Sequence, residues 1–327
     1  MSRLRLNPLT GRWITVVAGR AERPSDFAPR TAQVEADPSR PCPFCPGAED
    51  ATPPALETYR VGGGSDWVVR VVPNLFPAFS GGEPLTVTND GPVFISAPAS
   101  GIHEVLVLSP QHSASFADLD DVETALVMAA VRDRMEEHAS HPVVRYTQAI
   151  VNHGREAGAS LVHPHAQLLG MPFVPGAILE EEAGFGRFEG NCLLCATVEA
   201  ELADDTRIVL EGEHAVVICP YWSETPYEML IIPKEHRAHL TQTPEADLTS
   251  VGLALRDATS ALRYELGDVA YNVVFHTAPF RHDRQFHWHL HVWPILVSVA
   301  GFERGTGVMI NITPPEFAAS QLRRSAV

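Results

Sequence analysis

Two short stretches of this chain read almost alike: EVLVLSPQH at 104–112 and EMLIIPKEH at 228–236. Each is an apolar, β-branched run closed by a proline and a histidine, the pattern of a buried strand ending in a turn. A long amphipathic segment follows each, 118–138 in one case and 245–265 in the other, with apolar residues at three-to-four spacing. Next comes a second apolar strand, VRYTQAIVNHG or VAYNVVFHTA, and then a His-x-His pair, His163/His165 or His289/His291. His112 and His163 are 51 residues apart, and His236 and His289 are 53 apart. A C-x-x-C precedes each unit. Two copies of one αβ unit account for this order.

The wider pattern supports an α+β chain of two tandem halves. Apolar alternation predicts strands near 13–17, 67–72, 103–108, 143–151, 166–171, 206–210, 214–219, 227–232, 269–275 and 289–295. The stretches 18–66 and 73–83 are rich in Pro and Gly and read as loops. Each half is expected to be an antiparallel sheet with a long helix packed on it, the first covering 1–175 and the second 176–327. A chain of 327 residues is long enough for two such cores. No run is long and apolar enough for a membrane helix, and the N-terminus has no secretory pattern, so a cytoplasmic protein is expected. The net charge of −16 argues against a nucleic-acid surface. It leaves room for a small anionic substrate, because a local arginine pair overrides the global sign.

There are five cysteines, an odd number that does not suit a disulfide scaffold. Cys219 lies in the apolar run AVVICPYW and reads as core. Cys42 and Cys45 with His112 and His163 form one candidate Cys₂His₂ set. Cys192 and Cys195 with His236 and His289 form a second. Thiolate and imidazole in a tetrahedral array suit zinc. His239, His282 and His287 read as surface or loop positions, and His153 as a neighbour of the site.

The segment AGASLVHPHAQLLG, at 157–170, concentrates the chemistry. Gly158, Ala159 and Ser160 let backbone approach a ligand closely. His163 and His165 alternate, so on a strand they face the same way, and Pro164 stiffens the backbone between them. A metal on His163 anchors that face and leaves His165 free to offer a ring nitrogen to an electrophile. A neutral imidazole is a competent nucleophile near pH 7.

This HPHAQ segment resembles the signature of the transferase branch of the histidine-triad superfamily. The wider pattern is similar to the galactose-1-phosphate uridylyltransferase family. The shared motifs are NPLTGRWITVVAGRAERP, CPFC, SPQH, NHGREAGASLVHPHAQ, the PYW/PYE/IP/H stretch, HTAPF and HLHVWP. The resemblance implies a ping-pong reaction in which His165 attacks the α-phosphorus of a nucleotide sugar and carries the nucleotide to a sugar 1-phosphate. It implies that Gln167 contacts a phosphoryl oxygen, and that Asn152 and Ser160 contact the phosphates. Arg20 and Arg23 match substrate arginines that often act across a dimer interface, and Asn74 matches a nucleotide contact. A homodimer is therefore expected.

Gln167 has a physical meaning beside the resemblance. Hydrolase relatives carry a third histidine there, which can protonate a poor leaving group. A sugar 1-phosphate needs no such help, so a non-titrating glutamine favours transfer over hydrolysis. In the second repeat Trp293 is expected at the matching position, which makes that half degenerate and structural. Some family members hold a second metal, iron or zinc, through a Glu and three histidines, to which Glu181, His276, His289 and His291 align. Sulfur ligation through Cys192 and Cys195 is the preferred set. The C-terminal GFERGTGVMIN is similar instead to the branch that includes ADP-glucose phosphorylases. UDP-glucose–hexose-1-phosphate uridylyl transfer is the expected activity. A phosphorylase or a transferase using another base is the alternative; a nucleotide hydrolase and a non-catalytic zinc module are weaker rivals.

Overall fold

Each apolar run named above becomes a strand, and all but the first of these strands join edge to edge in one sheet. The structure is a computed structural model that describes residues 2–17, 41–62, 64–281 and 285–325. In chain order the strands are β1 (Arg3–Leu6), β2 (Trp13–Val16), β3 (Glu57–Tyr59), β4 (Val69–Pro73), β5 (Thr88–Asn89), β6 (Ile95–Ser96), β7 (Ile102–Val107), β8 (Tyr146–His153), β9 (His165–Met171), β10 (Ile208–Glu211), β11 (Ala215–Ile218), β12 (Met229–Pro233), β13 (Tyr271–His276), β14 (His289–Pro294) and β15 (Met309–Asn311). The helices are α1 (Asp121–Ser140), α2 (Gly176–Arg187), α3 (Leu193–Asp204), α4 (Glu245–Leu266), α5 (Gly301–Thr306) and α6 (Pro315–Ser325). The two long helices start within three residues of their expected positions. Asp120 caps α1 by accepting the Glu123 N–H, while Glu123 returns a bond to the Asp120 N–H.

The main sheet has ten strands in the order β10-β11-β12-β14-β13-β8-β9-β7-β4-β3. From its centre outward the sequence β8-β9-β7-β4-β3 mirrors β13-β14-β12-β11-β10. The two repeats are thus related by a pseudo-twofold axis, and they meet where β8 pairs antiparallel with β13. The three-residue edge strand β3 and the helices α2, α3, α5 and α6, none longer than 12 residues, were not expected. Strands β1, β2 and β15 form a separate small sheet. Leu9, Ile14 and Val16 pack into the core of the second half, against Ile178, Phe185, Val216 and Leu230.

Strand side chains alternate between faces, and this alternation sorts the residues by task. On one face Leu106, Val151, Ala166, Leu168, Val273, Leu290 and Val292 pack under α1 and α4 in one continuous core. Gly252 on α4 lets these helices touch, since a Cβ there would lie 2.5 Å from Met128 Cγ. The odd partners of those residues, His103, Asn152, His165, Gln167, Asn272, His276, His289 and His291, project from the other face. These candidate site residues therefore lie on the face of the sheet away from the long helices.

The helix face holds a buried carboxylate. Glu104 on β7 accepts two bonds from Arg134 of α1, at 2.9 and 2.7 Å, and His138 Nε2 lies 3.3 Å away. Burial pushes the Glu104 carboxyl up, but hydrogen bonds from His138 and Arg134 outweigh it and hold the carboxyl below its usual range. A carboxylate so depressed contributes stability above its unfolded pKa and loses it as pH falls through the folded value. Arg134→Met should therefore cost about 3 kcal/mol in a denaturant titration at pH 7, because the carboxylate loses its main partner. That deficit should begin to shrink below about pH 4 and disappear only as pH falls through the depressed folded-state value of Glu104.

Candidate active site and metal clusters

The centre of the candidate site is the start of β9. His163 is fully buried, and its Nε2–H donates to the Ser109 carbonyl at 2.8 Å. That bond leaves Nδ1 bare and aimed at the cysteines, 3.8 Å from Cys42 Sγ and 3.7 Å from Cys45 Sγ. His112 Nδ1 lies 3.3 Å from Cys45 Sγ. Around a tetrahedral zinc with Zn–S of about 2.3 Å and Zn–N of about 2.05 Å, sulfur and nitrogen sit about 3.5 Å apart. The four ligand atoms, all within 4.8 Å of one another, fit such an ion. Burial holds the His163 imidazole near pKa 4, hence neutral, while burial and the neighbouring Cys42 push the Cys45 thiol up. A bound cation reverses the thiol shift, because the thiolate is the metal ligand.

His165 stands two residues on, 7% exposed. Its Nδ1–H donates to the His163 carbonyl at 2.9 Å, so the lone pair is on Nε2. Burial lowers its pKa and keeps the ring neutral. Phe44, between the two cysteines, packs its ring against both histidines, with centroids 6.0 Å from His163 and 5.5 Å from His165. His165 lines two cavities. One, of about 410 Å³, is walled by Phe44, Val72, Asn74, Phe76, Ser160 and Gln167. The other, of about 330 Å³, is walled by Ser113, Asn152, His153, Asp268, Tyr271 and Arg263.

Two side-chain amides flank His165 with fixed orientations. Asn152 Oδ1 accepts the Asn272 amide N–H at 2.7 Å, which leaves the Asn152 NH₂ beside Gly158, 3.7 Å from where a Cβ would stand there. Gly158 itself has φ +91°, a conformation that suits glycine, and closes the turn before Ser160. Gln167 Oε1 lies 2.9 Å from His103 Nε2. His153 stacks on Tyr271 and pairs with Asp268 at 2.9 Å, beside the second cavity. Arg20, Arg23 and His282 lie outside the described residues.

In the second half the structure corrects the sequence reading. Cys192 and Cys195 gather His236 and His287, not His289. His287 Nδ1 lies 3.6 Å from Cys192 Sγ and 3.5 Å from Cys195 Sγ, and His236 Nδ1 lies 3.7 Å from Cys195 Sγ. His287 is fully buried, so it is no surface residue. The repeat is shifted by two positions from the expected register. His236 and His287 are 51 residues apart, the same interval as His112 and His163. His289 then matches His165, and it repeats the same bond: its Nδ1–H donates to the His287 carbonyl at 2.8 Å. Gln167 is matched by His291 and not by Trp293, which stacks on the His291 ring.

His289 belongs to a third cluster. Glu181 of α2 bonds His276 Nδ1 at 2.9 Å and lies 3.7 Å from both His289 Nε2 and His291 Nε2. All four residues are buried. The Glu/His₃ set and the second sulfur set, read from sequence as competing ligands, coexist as separate clusters. Glu181 Oε2 has no hydrogen-bond partner although it is buried, and burial holds the His289 imidazole near pKa 3. An acceptor and lone pairs turned toward one point fit a borderline cation such as iron or zinc.

Comparison with known proteins agrees with the site. The sequence profile of the galactose-1-phosphate uridyl transferase N-terminal domain matches residues 1–175, and that of the C-terminal domain matches residues 179–303. The chain belongs to the galactose-1-phosphate uridyl transferase family. Within it, the chain is 32% identical to an ADP-glucose phosphorylase from Arabidopsis thaliana over 98% of this chain and 92% of that one. It is 29% identical to a galactose-1-phosphate uridylyltransferase from Haemophilus influenzae, over 90% and 84% of the two chains. The crystal structure of an Arabidopsis thaliana ADP-glucose phosphorylase with bound ADP-glucose superposes with a TM-score of 0.83 at 30% identity, covering 99% of this chain and 98% of that one. The chain is an enzyme of this nucleotidyl-transferring family. No helix among the described residues is long and apolar enough to cross a membrane.

Sequence reasoning missed His287, Asn272 and His103. The equal 51-residue spacing would have found the first; the other two act through contacts between paired strands that are far apart in the sequence. The corrected ligand set is open to a direct test. In cobalt-substituted protein, His287→Ala should weaken the thiolate–cobalt absorption of the second sulfur site, and His289→Ala should leave it in place.

Proposed function

We propose that this enzyme transfers a nucleotide from a nucleotide sugar through a covalent nucleotidyl-histidine on His165, and that its donor is an ADP-sugar with phosphate as acceptor. The observation that carries the mechanism is the bond between His165 Nδ1–H and the His163 carbonyl, which fixes the lone pair on Nε2 in a buried, neutral ring. In the first step Nε2 forms a bond to the α-phosphorus. The bond from that phosphorus to the bridging oxygen breaks, and the sugar 1-phosphate departs with the electron pair. In the second step an oxygen of the acceptor phosphate attacks the same phosphorus, the N–P bond breaks, and a nucleoside diphosphate leaves. The Asn152 and Gln167 amides are placed to donate to the phosphoryl oxygens as charge builds there. Gly158 and Ser160 bring backbone to the same region.

A nucleoside base suits the 410 Å³ cavity, whose walls Phe44, Val72, Phe76 and Leu161 are apolar and whose rim carries Asn74 and Thr52. The first Cys₂His₂ set would hold a zinc with no open position. When bound, such an ion supplies rigidity: it ties the Cys42–Cys45 loop to His163, and so fixes the carbonyl that orients His165. The Glu181 cluster and the second Cys₂His₂ set would hold further ions that stiffen the second half.

The adenine base rests on the 32% identity with the plant phosphorylase across nearly the whole chain, and on the resemblance of the Cys192–Cys195 pair and the C-terminal GFERGTGVMIN to that branch. Uridylyl transfer to a hexose 1-phosphate is the second reading, favoured by the relatives that carry that activity. We assign Arg20 and Arg23 to substrate contact in a homodimer, on the family motif AGRAERP. The division at residues 175/176 is kept as the boundary between the halves.

Mass spectrometry after mixing with ADP-, UDP- and GDP-sugars should show one nucleotidyl adduct on His165, with AMP on the first reading and UMP on the second. Steady release of nucleoside monophosphate without acceptor would instead make the enzyme a hydrolase. His165→Asn should abolish the adduct and lower turnover at least about 10³-fold, since the nucleophile itself is gone. Its metal content should match that of the parent.

A further inference from the structure

His103 belongs to none of the metal clusters and lines neither cavity, yet three parts of the site meet on it. It lies on β7 directly opposite Leu169, with Val105 opposite Gln167, so His103 and Gln167 are diagonal neighbours on one face of the sheet. The Ala78 N–H lies 3.0 Å from His103 Nδ1. A backbone N–H can only donate, so Nδ1 must be the bare nitrogen and the neutral ring carries its proton on Nε2. An Nε2–H can only donate in turn. It therefore holds Gln167 by Oε1, 2.9 Å away. With its carbonyl occupied, the Gln167 amide presents its NH₂ edge to whatever lies beside His165.

The same residue ties down the wall of the 410 Å³ cavity, by its backbone carbonyl at one end and its ring at the other. The Asn74 N–H donates to the His103 carbonyl at 2.9 Å, and the Phe76 N–H donates to Asn74 Oδ1 at 2.9 Å. Asn74 Nδ2 lies 3.1 Å from His103 Nε2. Both are donors in this tautomer, so that contact is packing and not a hydrogen bond. The segment from Asn74 to Ala78 is thus fastened to β7 at both ends, and Asn74 and Phe76 wall the cavity in between.

We infer that His103 is a positioning residue for this site: its Nε2–H fixes Gln167 with the amide donors toward the phosphoryl group on His165, and its Nδ1 anchors the 74–78 wall of the base cavity. This rests on His165 as the nucleophile. One imidazole links donor orientation to base-pocket shape, and each task uses a different nitrogen.

The two nitrogens can be tested separately. In His103→Gln the side-chain amide reaches the Nε2 position and can still donate to Gln167, but it gives up the Nδ1 acceptor. In His103→Asn the shorter amide keeps an acceptor near Ala78 and loses the donor. Single-turnover nucleotidylation of His165 by the donor found active in the panel should slow about tenfold in His103→Asn, with KM within about twofold. His103→Gln should restore the rate to within about threefold and raise KM about tenfold. In a Gln167→Ala background, His103→Asn should slow the step by less than about twofold, because the residue it positions is gone. An undiminished tenfold loss in that background overturns the inference, as does a His103→Gln protein as slow as His103→Asn. A folding defect would show as lost metal or a lowered Tm in one variant, and the other variant then decides. A parent protein that forms no adduct overturns the His165 reading itself, and the absence of an adduct in the unmutated enzyme tells that failure apart.

Discussion

The pairing of β8 with β13 is the contact on which the rest depends. Each repeat alone would leave a long apolar strand at the edge of its sheet, with a row of unpaired backbone groups. Joined, the two become one ten-stranded sheet with both central strands buried. The junction also completes the site. Asn272 crosses it to orient Asn152, and Arg263, Asp268 and Tyr271 from the second half wall the cavity beside His165. The second half thus supplies part of the surroundings of the candidate nucleophile as well as a scaffold.

The repeat shows how one device serves two ends. In both halves the central histidine is oriented by its Nδ1–H bond to the carbonyl two residues earlier, and in both that earlier histidine faces a C-x-x-C pair. The halves part at the next positions along the strand. The first carries Gln167, which leaves His165 Nε2 open to cavities. The second carries His291, whose Nε2 lies 3.1 Å from that of His289, with Glu181 and His276 closing the remaining space. A nucleophile needs its lone pair exposed to substrate; a ligand cluster needs lone pairs turned on one another. The same backbone supports either, and the residue two places on decides which.

The comparison between sequence and structure turns on periodicity. Ten strands and the two long helices were legible because buried faces impose a period of two or of about 3.6 on the chain. Helices α2 and α3 escaped notice because Glu181 and Glu182, buried polar residues, break the apolar pattern of one, and the other is short and apolar nearly all round. The candidate ligand group Cys42, Cys45, His112 and His163 was readable from motif and spacing. The second set was misread at one residue because three histidines alternate in His287-Trp288-His289-Leu290-His291. On a strand any two of them share a face, so alternation alone cannot set the register.

By itself the sequence determined the two-fold αβ plan and the grouping of Cys42, Cys45, His112 and His163, and it is the origin of the proposal that His165 with Gln167 is the centre of the chemistry. These follow from local pattern, since strand alternation, C-x-x-C spacing and a His-x-His-x-Gln run are properties of neighbouring residues. The tertiary structure decided which histidine joins Cys192 and Cys195, that Glu181 gathers its own cluster, and that His103 and Asn272 hold the flanking amides. Those depend on strand register and on contacts between residues far apart in the chain, and hydrogen-bond direction is settled only when the partner is in place.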